Sequence, residues 1–411
     1  MEKSNIRLLF LAPFCDANDV GEAYNSFVWV KSLAEHVKVT LLSLNREGQE
    51  NIAKSLKNVE VITWPEPKCF RKFERFNAMV KPGYLIYYLK VRRWIRKALE
   101  EKRIFDVIHQ MTPAAMRYPS PGIGFGIPLV HGPLQGSLDT PKSLARECHA
   151  NSPWYMSLRN FDIMRFRYDP LLRHSLKNTD LVLTGAEYAK EIISNAPVKS
   201  VKNLVHLNCH CYEDVFNKKK SPFEKKHFVF LYVGRLVRTK GVREAIQALK
   251  FVAIEFNYTF EVVGDGPEYE ICKELVKKLN VESKVVFHGH LPKSSVEAAY
   301  RRADLMIFPS FREPAGGVVL EALSNGIPVV TINRGGPGYY VTRDCGYLVK
   351  AETSQQMAKD IADFLNCVCS DRVLFEKLQK GAVDRAKQLG NLSSKTSWLL
   401  EQYRGLIQDN P

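Results

Sequence analysis

The sequence has no apolar run that approaches the roughly 20 residues needed to cross a lipid bilayer. Its first apolar run, IRLLFLAPF, is too short for the core of a signal peptide with the usual flanks, and it predicts a buried first strand. We therefore expect the chain in the cytoplasm. Internal repeats and low-complexity segments are also lacking, and 45% hydrophobic and 25% charged residues exclude disordered and collagen-like proteins.

Cys and His residues at the spacing of metal ligands are also few. The stretch HLNCHC places Cys209, His210 and Cys211 beside His206, but no second pair of ligands follows at the spacing of a zinc site. We predict no metal and no bound cofactor. In the absence of a secretory segment, the nine cysteines are predicted to be reduced thiols.

Negative charge is in deficit, because 59 Lys and Arg face 44 Asp and Glu, giving a formal net charge of +15. Residues 68–103 hold twelve basic and three acidic residues, which is much of the surplus. Aromatic and basic residues alternate there in YLIYYLKVRRWIRK, as expected for a helix on an anionic membrane surface. The alternative is a solvated helix whose aromatic residues contact the core. We predict peripheral binding through residues 68–103 to the inner face of the cytoplasmic membrane.

Strand-like apolar runs alternate with helical patterns along most of the chain, which predicts an α/β protein with two doubly wound, parallel, Rossmann-like sheets. The pattern stops over residues 209–226, a lysine-rich stretch with a proline. We predict one domain over 1–208, a linker over 209–226, a second domain over 227–385, and a C-terminal helix over 386–411 that packs back across the cleft. Ligands are expected at the carboxyl ends of the strands and in that cleft.

The stretch FPSFREPAGGVVLEALSNG predicts a strand, a turn and a helix. Ala315, Gly316 and Gly317 occupy the helix start, where free N–H groups and the helix dipole favour a phosphate. Glu313 precedes this start, and Glu321 lies within the helix, about 7.5 Å along the axis. The Glu321 carboxylate can accept hydrogen bonds from a ribose diol, while Glu313 holds another part of the same ligand. Alternatively, Glu321 is an ordinary exposed residue and Glu313 a partner for the dipole.

Three further side chains follow predicted strands. Arg235 and Lys240 flank a short loop after FVFLYVG, so both can converge on a phosphate, although either can also be an ordinary surface charge. His109 ends the strand FDVIH, where it can bind a sugar hydroxyl or be a satisfied histidine. The stretch VVGDGP lacks the third glycine of a dinucleotide fingerprint, so a nicotinamide cofactor is weakly supported.

Four motifs, GRLVRTKG, VVGDGP, ADLMIFPS and EPAGGVVLEALSNGIPVV, in this order, resemble the retaining glycosyltransferases of family 4, which have the GT-B fold of two Rossmann-like domains facing a central cleft. The resemblance is specific over residues 228–350 and loose over the first 210. It implies that Glu321 holds the nucleotide ribose and that Glu313 lies near the donor sugar. It also implies that Arg235 and Lys240 bind the diphosphate.

The same resemblance implies that the backbone amides of Ala315, Gly316 and Gly317 lie near the sugar and phosphate, and that His109 belongs to the catalytic site. The glycine-rich first loop of the family is replaced by FCDANDVGEAYN, which leaves Gly21 as the candidate backbone contact to the donor. NCHCYED stands where NGVD is usual, and RGGPGYYV has a tyrosine where a glutamate is common. These departures leave the donor sugar and the acceptor open.

The implied activity is that of a retaining hexosyltransferase. It would move a sugar from a UDP or GDP sugar to a glycan or lipid-linked acceptor in cell-envelope, extracellular polysaccharide or lipopolysaccharide synthesis. Arg235, Lys240 and the helix start at Gly316 can stabilise the departing diphosphate without a metal. One alternative is a glycan phosphorylase or sugar-phosphate synthase on the same fold. Another is a basic nucleic-acid-binding protein, but no signature accompanies the charge, so we expect no nucleic-acid partner.

Overall fold

The computed structural model describes residues 5–19, 21–46, 52–66, 83–149, 162–209, 221–253 and 255–409. The chain forms two compact units, and each is assembled from segments that are distant in sequence. Unit 1 comprises Met1–Ser137, Trp154–His206 and Leu392–Pro411, and unit 2 comprises Leu138–Pro153 and Leu207–Asn391. Within the predicted linker, residues 210–220 lie outside the described residues.

Unit 1 contains a sheet of seven parallel strands. They are β1 (Arg7–Leu11), β2 (Lys38–Asn45), β3 (Val59–Pro65), β4 (Val107–Gln110), β5 (Leu129–Leu134), β6 (Leu181–Thr184) and β7 (Val201–Asn203). Their order across the sheet is β3-β2-β1-β4-β5-β6-β7. The central strands are buried on both faces, which explains why they appear in the sequence as continuous apolar runs.

Unit 2 contains a second parallel sheet. Its strands are β8 (Phe228–Val233), β9 (Tyr258–Val263), β10 (Val285–Gly289), β11 (Leu305–Phe308), β12 (Val329–Ile332) and β13 (Gly346–Val349). Their order is β10-β9-β8-β11-β12-β13, so the strand order reverses between β8 and β11. The carboxyl ends of strands at such a reversal are the usual ligand position in doubly wound sheets. The predicted fold class, two doubly wound parallel sheets, is confirmed.

Helices connect the strands of both sheets. The described α-helices are α1 (Glu22–Ala34), α2 (Gly83–Glu100), α3 (Lys142–His149), α4 (Asp162–Tyr168), α5 (Pro170–Lys177), α6 (Glu187–Ile193), α7 (Pro222–Lys225), α8 (Val242–Ala248), α9 (Tyr269–Lys278), α10 (Lys293–Arg302), α11 (Gly317–Ser324), α12 (Gly335–Tyr340), α13 (Ser354–Ser370), α14 (Arg372–Gly390) and α15 (Leu392–Gln408). Helix α3 belongs to unit 2 and helix α15 to unit 1. Among the described helices, none has both the length and the apolar character needed to span a bilayer.

The two faces of the unit 1 sheet are covered by different helices. Leu8 and Phe10 of β1 share a core cluster with α1 and α15. Leu9 and Leu11 of the same strand share another cluster with α2. Because alternate side chains of a strand point to opposite faces, α1 and α15 cover one face and α2 covers the other.

Candidate active site

The turn that carries Lys240 is held against the loop that follows β11. This 3-10 turn, Arg238–Lys240, comes shortly after β8, and one of its carbonyls accepts a hydrogen bond from the Phe311 N–H at 3.2 Å. Gly241 has a φ of +72°, and a side chain there would place its Cβ 2.1 Å from the carbonyl oxygen of Pro309. Only glycine permits both this backbone conformation and this close approach.

Glu313 is fixed by three contacts just before α11. Its carboxylate forms an ion pair with the Lys240 ammonium, and the two side chains are only 14% and 18% exposed, respectively. The other carboxylate oxygen accepts the N–H of Gly316 at 3.1 Å. The backbone oxygen of Glu313 accepts the N–H of Gly336, also at 3.1 Å. The structure thus brings together two of the predicted ligand-binding residues, Lys240 and Glu313.

Arg235 is the second predicted cation. It is exposed, and its guanidinium makes no hydrogen bond or ion pair with a described residue. Burial, and after it the positive charge of Arg235, lower the pKa of Lys240 to about 8. Arg235 is therefore close enough to disfavour the charged form of Lys240, and an anion bound between the two cations would relieve the repulsion.

A buried ion pair supports the Lys240 turn, and no sequence motif predicted it. Arg238 and Glu244 are 7% and 0% exposed, and two guanidinium nitrogens donate to the two carboxylate oxygens at 2.9 and 2.6 Å. The Ser354 hydroxyl donates to Glu244 at 2.7 Å and accepts from Arg238 at 3.2 Å. Arg235 and Arg238 follow the same strand, so the sequence pattern alone does not separate the exposed arginine from the buried one.

The loop that carries Glu313 packs directly against the start of α12. Gly335 has a φ of +62°, and a Cβ there would lie 2.1 Å from the carbonyl oxygen of Glu313. A Cβ at Gly336 would lie 2.1 Å from the carbonyl oxygen of Ala315. Gly335 and Gly336 were not predicted from the sequence to be part of the site. The adjacent pair GG in NRGGPGYY was nevertheless a visible signal for close backbone approach.

The start of α11 presents backbone N–H groups. Gly316 is the N-cap residue with φ 75° and ψ 43°, and its own N–H donates to Glu313. The N–H groups of Gly317 and Val318 lie in the first helical turn, where no intrahelical acceptor is available, and no described residue accepts from them. Of the three predicted amides, that of Gly316 is taken by Glu313, whereas those of Ala315 and Gly317 have no acceptor among the described residues and are open to an anion.

Glu321 lies further along α11, about 6 Å from Gly317 along the helix axis. Its carboxylate accepts a hydrogen bond from the Tyr300 hydroxyl of α10 at 2.9 Å. The residue as a whole is exposed, but neighbouring groups displace water from the carboxylate and raise the pKa of Glu321. The Tyr300 hydrogen bond and the charge of Lys293 act in the opposite direction. No contact among the described residues joins Glu321 to Lys240 or Glu313.

His109 lies in β4 of unit 1 and is fully buried. Its Nε2 is 2.7 Å from the carbonyl oxygen of Gly132, and its Nδ1 is 2.5 Å from the Tyr403 hydroxyl. Because a carbonyl only accepts, Nε2 carries the hydrogen and Nδ1 accepts from Tyr403. Burial lowers the pKa of His109 to about 4, so the ring is neutral at pH 7. Both nitrogens have partners within unit 1, and a role of His109 in catalysis stays a prediction.

Gly21 also belongs to unit 1, where it is the N-cap residue of α1 with φ 66° and ψ −130°. This backbone conformation favours glycine. No atom lies within 4 Å of the position that its Cβ would occupy, so the space beside this backbone is open. Its contact with the donor stays a prediction.

The glycines of VVGDGP have a packing role. A Cβ at Gly264 would lie 2.0 Å from the carbonyl oxygen of Gly234, and one at Gly266 would lie 2.4 Å from that of Leu236. These glycines let the loop after β9 pack on the loop after β8. Close packing between loops accounts for the motif without a bound dinucleotide.

Metal-ligating side chains do not cluster in the part of the chain that the structure describes. No group of three His, Cys, Asp or Glu residues there is placed to hold a metal ion. His210 and Cys211 of the HLNCHC stretch lie outside the described residues. The predicted independence from a metal stays a prediction.

The segment that builds the candidate site matches a known protein family. Residues 214–381 match the family described as Glycosyl transferases group 1. The chain therefore carries a group 1 glycosyltransferase segment. The matched segment contains Arg235, Lys240, Glu313 and Glu321, and the match confirms the family and the enzyme class predicted from the order of the motifs.

The relatives of this chain have different names. The chain is 24% identical over 264 residues to N-acetyl-alpha-D-glucosaminyl L-malate synthase of Bacillus anthracis, which is 62% of this chain and 67% of the relative. It is 26% identical over 320 residues to the sulfoquinovosyl transferase SQD2 of Arabidopsis thaliana, 74% of this chain and 59% of the relative. Several other relatives are matched over less than half of their own length.

Solved structures share the fold over almost the whole chain. Sucrose-phosphate synthase from Thermosynechococcus elongatus matches 98% of this chain and 100% of that chain, with a TM-score of 0.67 and 17% identity. HepE of Anabaena, solved in complex with UDP and glucose, matches 98% and 100%, with a TM-score of 0.60 and 19% identity. The GT-B fold predicted for this glycosyltransferase is thereby confirmed.

Proposed function

We propose that this glycosyltransferase transfers a sugar, with retention of anomeric configuration, from a UDP or GDP sugar to a glycan or lipid-linked acceptor in cell-envelope or extracellular polysaccharide synthesis. One observation carries the proposal. Lys240 is paired with Glu313 directly before the open N–H groups of α11, and the unpaired guanidinium of Arg235 influences Lys240. The solved complex of HepE with UDP and glucose supports a nucleotide sugar as donor.

The arrangement suits stabilisation of a departing diphosphate. When the bond between the anomeric carbon and the β-phosphate oxygen breaks, its electron pair passes to that oxygen. Arg235, Lys240 and the N–H of Gly317 would then face the additional negative charge. A well-placed donor of this kind contributes about 3–4 kcal/mol to transition-state stabilisation. The acceptor hydroxyl forms the new bond on the same face of the sugar, and its proton passes to the departing phosphate.

The two glutamates would bind different parts of the donor. A bound diphosphate competes with Glu313 for Lys240, because both are anions, and this competition frees the Glu313 carboxylate to accept hydrogen bonds from the donor sugar. Glu321, oriented by the Tyr300 hydroxyl, would accept hydrogen bonds from the ribose diol. In this proposal neither carboxylate acts as a nucleophile.

The first experiment measures nucleotide binding by calorimetry on the full chain. We expect UDP or GDP to bind, and we expect Lys240→Ala and Arg235→Ala each to weaken that binding about tenfold or more, since each removes a charge-assisted contact. The matched control is Lys277→Ala, which removes an exposed lysine of α9 and should leave the affinity unchanged. Wild-type affinity in Lys240→Ala would contradict the proposal.

A second experiment addresses transfer. Glu313→Ala should abolish sugar transfer while UDP or GDP still binds, and magnetic resonance of the product should show the anomeric configuration of the donor. Acceptors in the screen include inorganic phosphate and sugar phosphates, so use of either one would instead favour the phosphorylase or sugar-phosphate synthase alternative. An inverted product would remove retention from the proposal.

A lipid-linked acceptor would place the enzyme at a membrane. We include in the proposal a cytoplasmic location and contact of residues 68–103 with the anionic inner face of the cytoplasmic membrane. Residues 68–82 of this region lie outside the described residues, whereas α2 is described in full. Failure of the full chain to bind anionic vesicles at low salt would remove the membrane partner.

A further inference from the structure

Exposed large apolar side chains are concentrated on three helices of unit 1. Leu85 and Leu89 lie on α2, Met164 and Tyr168 on α4, and Leu171 on α5, and each is between 50% and 65% exposed. Exposed side chains of this size, close to one another, are typical of surfaces that bind a partner or a membrane.

The aromatic residues of α2 face the protein. The Tyr84 hydroxyl donates to the carbonyl oxygen of Pro119 at 2.7 Å, and Tyr87 is fully buried. Arg92 donates to the carbonyl oxygen of Ile123 at 2.8 Å. Tyr84, Tyr87 and Arg92 were part of the pattern from which membrane binding was predicted. That assignment is wrong for them, because their polar groups form hydrogen bonds within unit 1 or their rings are buried there.

The solvent-facing stripe of α2 is instead aliphatic and basic. Leu85, Leu89, Arg93 and Arg96 follow one another at intervals of three or four residues, so they lie on one side of the helix. All four are exposed, and neither arginine forms an ion pair or hydrogen bond with a described residue. Two apolar side chains and two uncompensated charges therefore share this stripe.

The corner between α4 and α5 presents a second stripe of the same kind. Met164, Arg167, Tyr168 and Leu171 are all exposed, and the Arg167 guanidinium lies 5.6 Å from the centre of the Tyr168 ring. Asp169 fixes the corner, because its carboxylate accepts the N–H groups of the first turn of α5 at 3.1 Å. The exposed side chains therefore project from a rigid corner.

Both stripes lie on the same face of the unit 1 sheet. Leu181 and Leu183 of β6 belong to the cluster that includes α1 and α15, so Val182, which packs with α5, points to the face that α2 covers. The segment between β4 and β5 links the two helices as well. The carbonyl oxygen of its Pro119 accepts the hydroxyl of Tyr84 of α2, and its Ser120 N–H donates to the Ser175 hydroxyl of α5 at 2.8 Å.

We infer that α2 and the α4–α5 corner together form one membrane-binding surface, in which Met164, Arg167, Tyr168 and Leu171 are a second anchor that inserts into an anionic phospholipid bilayer beside α2. The occupant follows from charge complementarity, because unpaired arginines flank the apolar side chains in both stripes. This inference rests on the membrane partner named in the proposed function. It adds a specific second contact that is more than 60 residues away in the sequence.

The test compares three variants of the full chain by co-sedimentation with phosphatidylglycerol–phosphatidylcholine vesicles at low salt. The first carries Met164→Ser, Tyr168→Ser and Leu171→Ser, and the second carries Leu85→Ser and Leu89→Ser. The matched control carries Val286→Ser, Tyr347→Ser and Val373→Ser, which remove exposed apolar side chains of unit 2.

We expect the first two variants each to bind about tenfold or more weakly, because each loses one of two anchors, and the control to bind as the wild type does. Arg167→Gln removes a charge but no apolar contact of the corner, and it should weaken vesicle binding about fivefold. Wild-type binding by the Met164, Tyr168 and Leu171 variant would overturn the inference, whether or not the α2 variant loses binding. Equal binding of the wild type to pure phosphatidylcholine would overturn the role of charge.

The outcome is separable from that of the proposed function. The two anchor variants and Arg167→Gln lie in unit 1, so they should retain UDP or GDP affinity in solution. A wild type that binds vesicles but no nucleotide contradicts the glycosyl-transfer proposal and leaves the surface standing. A wild type that binds nucleotide but no anionic vesicle contradicts the surface alone, as does one that binds RNA in place of vesicles.

Discussion

Breaking the buried ion pair between Arg238 and Glu244 should destabilise unit 2 and weaken nucleotide binding together. Arg238→Met removes the guanidinium but keeps an apolar side chain of similar length. The Glu244 carboxylate, which is fully buried, is then left with the hydrogen bond from Ser354. The affected turn is the one that ends in Lys240, so its position should become less well defined.

The magnitude follows from the burial of both partners. Removing one partner of a buried pair costs about 3–5 kcal/mol, because the other charge is left uncompensated. For a unit of this size, each kcal/mol lowers the melting temperature by about 2–4 °C, so we expect a decrease of about 6–20 °C in the unfolding transition of unit 2. Scanning calorimetry is the appropriate assay, because it can resolve separate transitions of two units.

A double-mutant cycle decides whether the two residues stabilise the fold as a pair. Glu244→Leu and the double variant complete the cycle, and the double variant should be less destabilised than the sum of the single ones, since it leaves no buried charge. Arg372→Met is the control, because its ion pair with Glu376 is solvent-exposed and should contribute nothing measurable. Strictly additive effects at 238 and 244 would refute the reasoning.

Three further predictions concern the site itself. Nucleotide affinity should fall as the pH rises through about 8, because the pKa of Lys240 is lowered to about 8 and its neutral amine no longer attracts the diphosphate. The Lys240→Arg variant should bind with little change over the same range. Calorimetry between pH 6.5 and 9, about one pKa unit or more on either side, checks both, and a flat wild-type profile would contradict the assignment. Tyr300→Phe should weaken nucleoside diphosphate binding about fivefold through the loss of one hydrogen bond to Glu321, and an equal loss of affinity for inorganic pyrophosphate would show that the ribose is not involved. Gly335→Ala should abolish transfer, because its Cβ would lie 2.1 Å from a backbone carbonyl oxygen. The control is Gly126→Ala, where φ is a similar +69° but no atom lies within 4 Å of the added Cβ. This variant should lose about 1 kcal/mol of stability and keep its activity.

The local parts of the site were predictable from the sequence. Lys240 and Glu313 each follow a strand in a short loop, and strands β8 and β11 are adjacent at the point where the strand order reverses. Parallel strands bring such loops to one edge of a sheet, so the motif order predicts their neighbourhood. The start of α11 was equally visible, because glycines preceded an apolar helix.

Contacts between distant segments were not predictable from one sequence. One hydrogen-bond partner of His109 is Tyr403, which lies 294 residues away, and an apolar helix pattern does not say which sheet the helix will cover. The same limitation applies to α15, whose amphipathic pattern indicated a helix but not its membership of unit 1. It also applies to Tyr84, because an aromatic residue in a basic helix looks the same whether it faces lipid or core.

The interleaving of the two units affects how the chain can be synthesised and dissected. During translation, the sheet of unit 1 is complete long before Leu399, Leu400 and Tyr403 emerge from the ribosome, yet these side chains fill its core cluster. One face of that sheet must therefore wait, incompletely covered, while all of unit 2 is made. By the same reasoning, a fragment spanning only residues 207–391 would lack α3 and should be a poor substitute for the whole enzyme in binding studies.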